Sequence, residues 1–260
     1  MLAVLGSRKA RSRTLDALRA SAANISVKRI ASVVTAVVAT YAIALGFNHW
    51  LYSPQVWPIR EVRVSGAFVH VQESDLSQIL AGLRGQNLFA CDLEAVKDAI
   101  KRHPWIDSVA VRRQWPGAVA VEIKEQQAFA RWLDGGLVNV RGERFVPAQH
   151  TIPQGLPVFQ GPGGREREMV ERYRDLSAAL APVRLRLEAL TLDSRGAWRA
   201  QMDNGLKVVI GRRLDERRIS RFVRTYPRVI APALARVEQV DLRYPNGFAV
   251  RWRPDEITAM

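Results

Sequence analysis

Cysteine occurs once in these 260 residues, at Cys91, so no intrachain disulfide can form and the fold rests on its packed core. The neighbours Leu88-Phe89-Ala90 are apolar, which suits a buried, inert thiol better than a reactive one. Histidine occurs four times, at His49, His70, His103 and His150, without HExxH spacing, and no Gly-x-Ser-x-Gly shapes a nucleophile. One cysteine and scattered histidines make no ligand cluster, so no metal or other cofactor is expected. Acidic residues are the minority, 25 against 39 Lys and Arg, and fall mostly on the polar faces of helices and strands. The expectation is a protein that is not an enzyme and has no small-molecule substrate.

Charge is missing altogether from Ile30 to Phe47, eighteen residues that span roughly 27 Å as a helix, close to the hydrocarbon thickness of a bilayer. Ile30, Val34, Val38, Tyr41, Leu45 and Phe47 are expected to lie in a single membrane-spanning segment, 30–51. Trp50, Tyr52 and Trp57 follow, rings of the kind that settle at headgroup depth. On the other side, residues 1–29 carry seven basic residues and one acidic residue, net +6. That bias predicts a cytoplasmic tail and an exported remainder, single-pass in an inner membrane with the N-terminus inside. Two other readings compete with a signal anchor. Ala42-Ile43-Ala44 satisfies the pattern of a cleaved signal peptide, and a buried core helix would also be apolar. The net charge of +14 invites a nucleic-acid reading, which the topology removes, because the globular part then lies across the membrane from nucleic acid. The Gly161-Pro162-Gly163-Gly164 cluster lacks the Lys-Ser/Thr of a phosphate cradle and reads as a linker.

From residue 56 the text alternates. Ile59, Val62 and Val64 mark a strand; Leu76, Ile79, Leu80 and Leu83 mark a helix; Asp92 stands as an N-cap before Leu93, Val96 and Ile100 in a second helix. Val109 and Val111, then Val119, Val121 and Ile123, mark two strands joined by a turn at Gln114-Trp115-Pro116-Gly117. The order is β-α-α-β-β over 56–125, a two-layer unit. A strand-rich domain, 126–253, follows, with a loop from Pro147 to Gly164 and a hairpin at Asp203-Asn204-Gly205. A helix from Asp215 to Tyr226 turns Arg217, Arg218, Arg221 and Arg224 to solvent. Strands over 237–242 and 248–252 flank a turn at Tyr244-Pro245-Asn246-Gly247, with Phe248, Val250 and Trp252 on one face. Residues 254–260 form a tail. The fold class is α+β behind one spanning helix.

Pro104-Trp105-Ile106, Val109-x-Val111-Arg112, Gln114-Trp115-Pro116 and Glu122 resemble a POTRA domain of the FtsQ/DivIB cell-division family. Ala130-Arg131-Trp132, Asp241-Leu242-Arg243-Tyr244 and the run Asn246-Gly247-x-Ala249-Val250-x-Trp252 are similar to later parts of that family. One such unit directly after a single anchor is unlike the tandem arrays that precede an outer-membrane barrel. The resemblance implies a scaffold of the division septum that holds FtsB and FtsL, and through them FtsW and FtsI, without chemistry of its own. Alternatives are a POTRA-bearing component of protein export or outer-membrane assembly, and a cleaved, soluble periplasmic binding protein. The resemblance also implies contact residues. In the POTRA unit they are Leu93, Ser108, Val111 and Arg113, where Ser108 stands for a family Gln and Arg113 for a Lys. At the C-terminal edge they are Arg243, Tyr244, Asn246, Gly247, Phe248 and Trp252, with Arg195 on a neighbouring strand. Phe248 is bulkier than the residue the family often carries. FtsB would add there as a strand; plain core packing is the competing account of Leu93, Val111, Phe248 and Trp252.

Overall fold

The computed structural model describes residues 7–53 and 55–253, with side chains for 29–53, 55–72 and 74–253. The readings placed on residues 1–6 and 254–260 lie outside the described residues, as do the side chains of residues 1–28. Helix α1 runs without a break from Ser7 to Leu51, well beyond the apolar run that marks it. Its stretch Arg29–Leu51 is 23 residues long and contains an eighteen-residue window with a mean hydropathy of 2.1, long and apolar enough to cross a membrane. None of that stretch is buried within the chain, which removes the core-helix reading. The hydroxyls inside it are satisfied locally: Ser32 donates to Arg29 O, Thr35 to Ala31 O and Thr40 to Ala36 O. A spanning helix needs that economy, because lipid offers no partner for a hydroxyl.

The small α/β region follows the expected order: β1 (Glu61–Ser65), α2 (Glu73–Ala81), α3 (Leu93–Lys101), β2 (Ile106–Gln114) and β3 (Ala118–Glu125). Its three strands are ordered β1-β3-β2. Leu76, Leu80 and Leu83 are buried as their spacing predicts, and Ile100, Val119 and Val121 are wholly so. Val62 is only half-buried and Val64 exposed, because β1 is an edge of the sheet. Gly117 has φ of 79°, and a Cβ there would stand 2.9 Å from Pro58 O, so the turn before β3 requires glycine. The chain gathers into two compact units, and the division runs through this region. One unit holds Met1–Arg63, Gln78–Leu93 and Val111–Ala120; the other holds Val64–Ser77, Glu94–Ala110 and Val121–Met260.

In the second unit, Trp105 is 2% exposed, stacks on His70 at 3.8 Å and donates from Nε1 to Thr151 Oγ1 at 2.8 Å. Beyond it lie β4 (Ala128–Trp132), β5 (Leu137–Asn139), β6 (Arg144–Phe145), β7 (Val158–Gln160), α4 (Glu166–Leu180), β8 (Leu187–Leu192), β9 (Trp198–Met202), β10 (Lys207–Gly211), α5 (Glu216–Thr225), β11 (Val237–Asp241) and β12 (Ala249–Trp252). The nine strands form one sheet in the order β12-β11-β10-β9-β8-β7-β4-β5-β6. Leu187, Leu190, Trp198, Ala200, Met202, Val208, Val237 and Val240 turn inward to a core shared with Met169, Leu176, Ile219 and Phe222 of α4 and α5. The intervening Glu188, Arg199 and Lys207 are exposed, the alternation of a sheet covered on one face.

Two expectations need correction here. The loop from Pro147 to Gly164 contains β7, which pairs in parallel with both β4 and β8 and buries Phe159 completely. Three residues between Pro157 and Gly161 are too few to show an alternation. The helix expected to stop at Tyr226 winds on through a π turn, Tyr226–Ile230, and a 3-10 turn, Ala231–Arg236. Pro227 and Pro232 lack the N–H that a regular α-helix would use there, and the chain changes pitch instead.

Candidate partner-binding edge

Among the described residues, strand β12 stands at one border of the nine-stranded sheet and pairs only with β11, antiparallel. Its partners are Val237 for Trp252, Val240 for Val250 and Asp241 for Ala249. Cross-strand partners share a face, so Val250 and Trp252 lie on the helix side. Phe248 and Val250 pack against the core, Phe248 edge-on to Phe222 at 6.3 Å. Trp252 overhangs that core, 50% exposed, with the Arg236 guanidinium 5.7 Å from its ring. Arg253 N donates to Arg236 O, so alternation along β12 turns the backbone groups of Trp252 and Val250 to the open side. The expected single face of Phe248, Val250 and Trp252 therefore divides by depth, with packing at its start and an open rim at its end.

Tyr244 and Asn246 are exposed in the β11–β12 turn, and Gly247 is half-buried beside them. Arg221 of α5 donates to Pro245 O at 3.0 Å, holding this turn from below. Arg243 is exposed and tied to Asp241. Its guanidinium binds Asp241 twice, Nε to Oδ1 at 3.0 Å and Nη2 to Oδ2 at 2.6 Å, and its stem crosses Gly211 of β10. Burial pushes the Asp241 carboxyl up, but the bonds from Arg243 outweigh it and hold the carboxyl below its usual range. A charge reading of Arg243 alone misses this pair, although an Asp two residues earlier at a strand end was a usable signal. Arg221, expected to face solvent, is half-buried by its bond to Pro245, and nothing in the sequence marks Arg236.

Arg195 is not on a strand. It lies exposed in the turn closing β8 onto β9, where Asp193 Oδ1 accepts the N–H groups of Arg195 and Ala197. That turn shares the end of the sheet that carries Tyr244, because Leu192 faces Trp198, Trp198 faces Gly211, Val209 faces Asp241 and Asp241 faces Ala249. Three strand spacings, roughly 14 Å, separate β9 from β12.

The four residues named in the small α/β region do not form one surface. Leu93 and Val111 are half-buried. Ser108 is exposed and, by the pleat, faces the opposite side of β2 from Val111 and Arg113. Arg113 donates from Nε to Leu88 O at 2.7 Å and from Nη2 to Cys91 O at 2.8 Å. It ties down the loop before α3, which is a structural duty whatever else it does. Among the described residues, no group of three or more His, Cys, Asp or Glu could hold a metal ion.

Residues 57–126 match the family model described as POTRA domain, FtsQ-type, and residues 130–243 match that of cell division protein FtsQ/DivIB, C-terminal. The second match ends before β12. The cell division protein FtsQ of Coxiella burnetii is 32% identical over 228 residues, 88% of this chain and 93% of its own length. FtsQ of Burkholderia pseudomallei is 36% identical over 78% of this chain and 83% of its own. FtsQ of Neisseria gonorrhoeae is 34% identical over 79% and 84%. With one apolar N-terminal helix, a POTRA unit and a strand-rich second domain in that order, the chain belongs to the FtsQ family of cell division proteins.

Proposed function

We propose that this cell division protein is a single-pass scaffold of the inner membrane at the division septum, with residues 1–29 in the cytoplasm and the sheet domains exported. It works by binding: it holds FtsB and FtsL, and through them FtsW and FtsI, and has no chemistry of its own. The observation that carries this reading is the open edge of β12, where one row of backbone groups has no neighbouring strand among the described residues. An extended segment of FtsB adds there as a tenth strand, taking register from the backbone and apolar area from Tyr244 and Trp252, 52% and 50% exposed. Arg195 and the outward nitrogens of Arg243 offer charge at the same end of the sheet for acidic residues of the partner.

The test is capture of FtsB by the full chain carrying Tyr244→Ala and Trp252→Ala. Loss of capture is expected, with thermal stability within about 1 kcal/mol of the parent, because both side chains are half-exposed. Full capture by a folded double variant would refute the edge. Arg243→Glu is a poorer probe, since it sets a second carboxylate against Asp241. Septal localisation of a tagged copy distinguishes this function from a POTRA-bearing component of protein export or outer-membrane assembly.

A further inference from the structure

Where α1 ends, one side chain closes its last carbonyl and another two residues on. Asn87, 2% exposed, donates from Nδ2 to Leu51 O at 2.9 Å and to Ser53 O at 2.6 Å. Its Oδ1 accepts Phe89 N at 2.8 Å and Ala90 N at 3.0 Å. The loop that carries Phe89 is thereby fixed to the helix terminus, and Arg113 fixes the same loop from β2. Aromatic rings then continue off the helix: Phe47 to Trp50 at 5.9 Å, Trp50 to Trp57 at 6.1 Å, Trp57 to Phe89 at 6.2 Å and Trp57 to Trp115 at 4.5 Å. Phe47, Trp50, Phe89 and Trp115 are 60%, 49%, 40% and 62% exposed, a contiguous apolar patch on the chain taken alone. Between the rings opens a groove of about 410 Å³ walled by Leu51, Trp57, Leu88, Phe89, Trp115 and the Arg113 side chain.

We propose that Phe89 and Trp115 insert into the headgroup layer beside the end of α1, so that this face of the POTRA unit lies on phospholipid. The occupant follows from continuity with the helix, and the proposal rests on the reading of α1 as membrane-spanning. The 23 residues Arg29–Leu51 rise roughly 34 Å, slightly more than a hydrocarbon core of about 30 Å, which leaves Leu51 at its boundary. The headgroup layer adds roughly 5–7 Å on each side. A ring two contacts from Trp50 lies in that layer or at its margin, where indoles are most stable. Arg60 is exposed beside the turn bearing Trp115, its N–H bonded to Gly117 O at 2.8 Å, and suits a lipid phosphate.

The experiment uses the purified full chain in vesicles of phosphatidylethanolamine and phosphatidylglycerol, with an environment-sensitive fluorophore on Gln114→Cys. The parent is the blank, since its single Cys91 is 3% exposed. A second label on Val38→Cys reports the helix itself. The expected result is a blue-shifted Gln114 label that loses most of its emission to a nitroxide at headgroup depth. Phe89→Glu with Trp115→Glu should abolish that loss, while the Val38 label stays quenched by a nitroxide deep in the acyl chains. A water-like, unquenched Gln114 label beside a quenched Val38 label overturns the proposal and leaves the spanning helix standing. An unquenched Val38 label removes both. The Gln114 measurement on the otherwise unaltered chain decides even where the double glutamate variant fails to fold.

Discussion

Glu125 accepts the backbone N–H groups of Val69, His70 and Val71 at 3.0, 3.1 and 2.9 Å, and its other oxygen meets His70 Nδ1 at 3.2 Å. Burial alone would raise this carboxyl, and the four bonds reverse the sign. Asp107 is held low by the Arg141 guanidinium, and Asp241 by Arg243. A carboxyl depressed in the folded state stabilises the fold above its unfolded value and loses that contribution as pH falls through the folded one. The melting temperature should therefore stay level from pH 7 to about 5 and fall below about pH 4. Glu125→Gln should flatten part of that fall and cost about 1–3 kcal/mol at pH 7, read by calorimetry at both ends of the range. Arg113→Leu should cost about 2 kcal/mol, because two carbonyls lose a charged donor, whereas Ser108→Glu should leave the melting transition where it is. If Arg113→Leu melts like the parent, its bonds to Leu88 and Cys91 contribute nothing. The roles of Glu125 and Arg113 were not legible in the sequence, since each depends on backbone groups from remote segments. Cys91 is buried as its apolar neighbours suggest, but of those only Leu88 is buried with it, while Phe89 and Ala90 are exposed.

Among the elements, legibility follows length and alternation. Strand β9 announces itself through Trp198, Ala200 and Met202, all turned to the core, whereas Val237 and Val240 of β11, three residues apart, both reach it only across a register shift. Strand β7 does not announce itself, yet it links the β4–β6 and β8–β12 halves of the sheet. Arg131 N bonds to Pro157 O and Leu133 N to Phe159 O, both at 2.8 Å, so its flanks are paired as well as its centre. Phe159→Ala should cost about 3–5 kcal/mol, the range for removing a fully buried aromatic, with the loss seen in the unfolding midpoint of the whole sheet. A cost near zero would mean that β7 is an ornament of the loop. That β12 is an edge could not be read from its own pattern, because a central strand covered on one face shows the same alternation; its place was expected only from the family order. The arginines of α5 were half legible: Arg217 and Arg224 are exposed, whereas Arg221 is spent on Pro245.

On the scale of the whole molecule, the apolar run and the basic flank predicted one spanning helix, and the exposed stretch Arg29–Leu51 agrees in length and character. Its direction is a separate matter. A reporter that is active only after export should work when fused after Trp57 and fail when fused at Arg29; the reverse pattern would overturn the topology proposed above. The sheet order has one more consequence. From β7 on, strands join the sheet outward in the order in which they leave the ribosome, and β12 is the last of the described strands to arrive. A chain cut after Asp241 would still build eight paired strands, and its new border would be β11, with Val237 and Val240 stripped of their outer neighbours Trp252 and Val250. Premature termination would then yield a folded but adhesive product, a hazard for proteostasis distinct from simple loss of function.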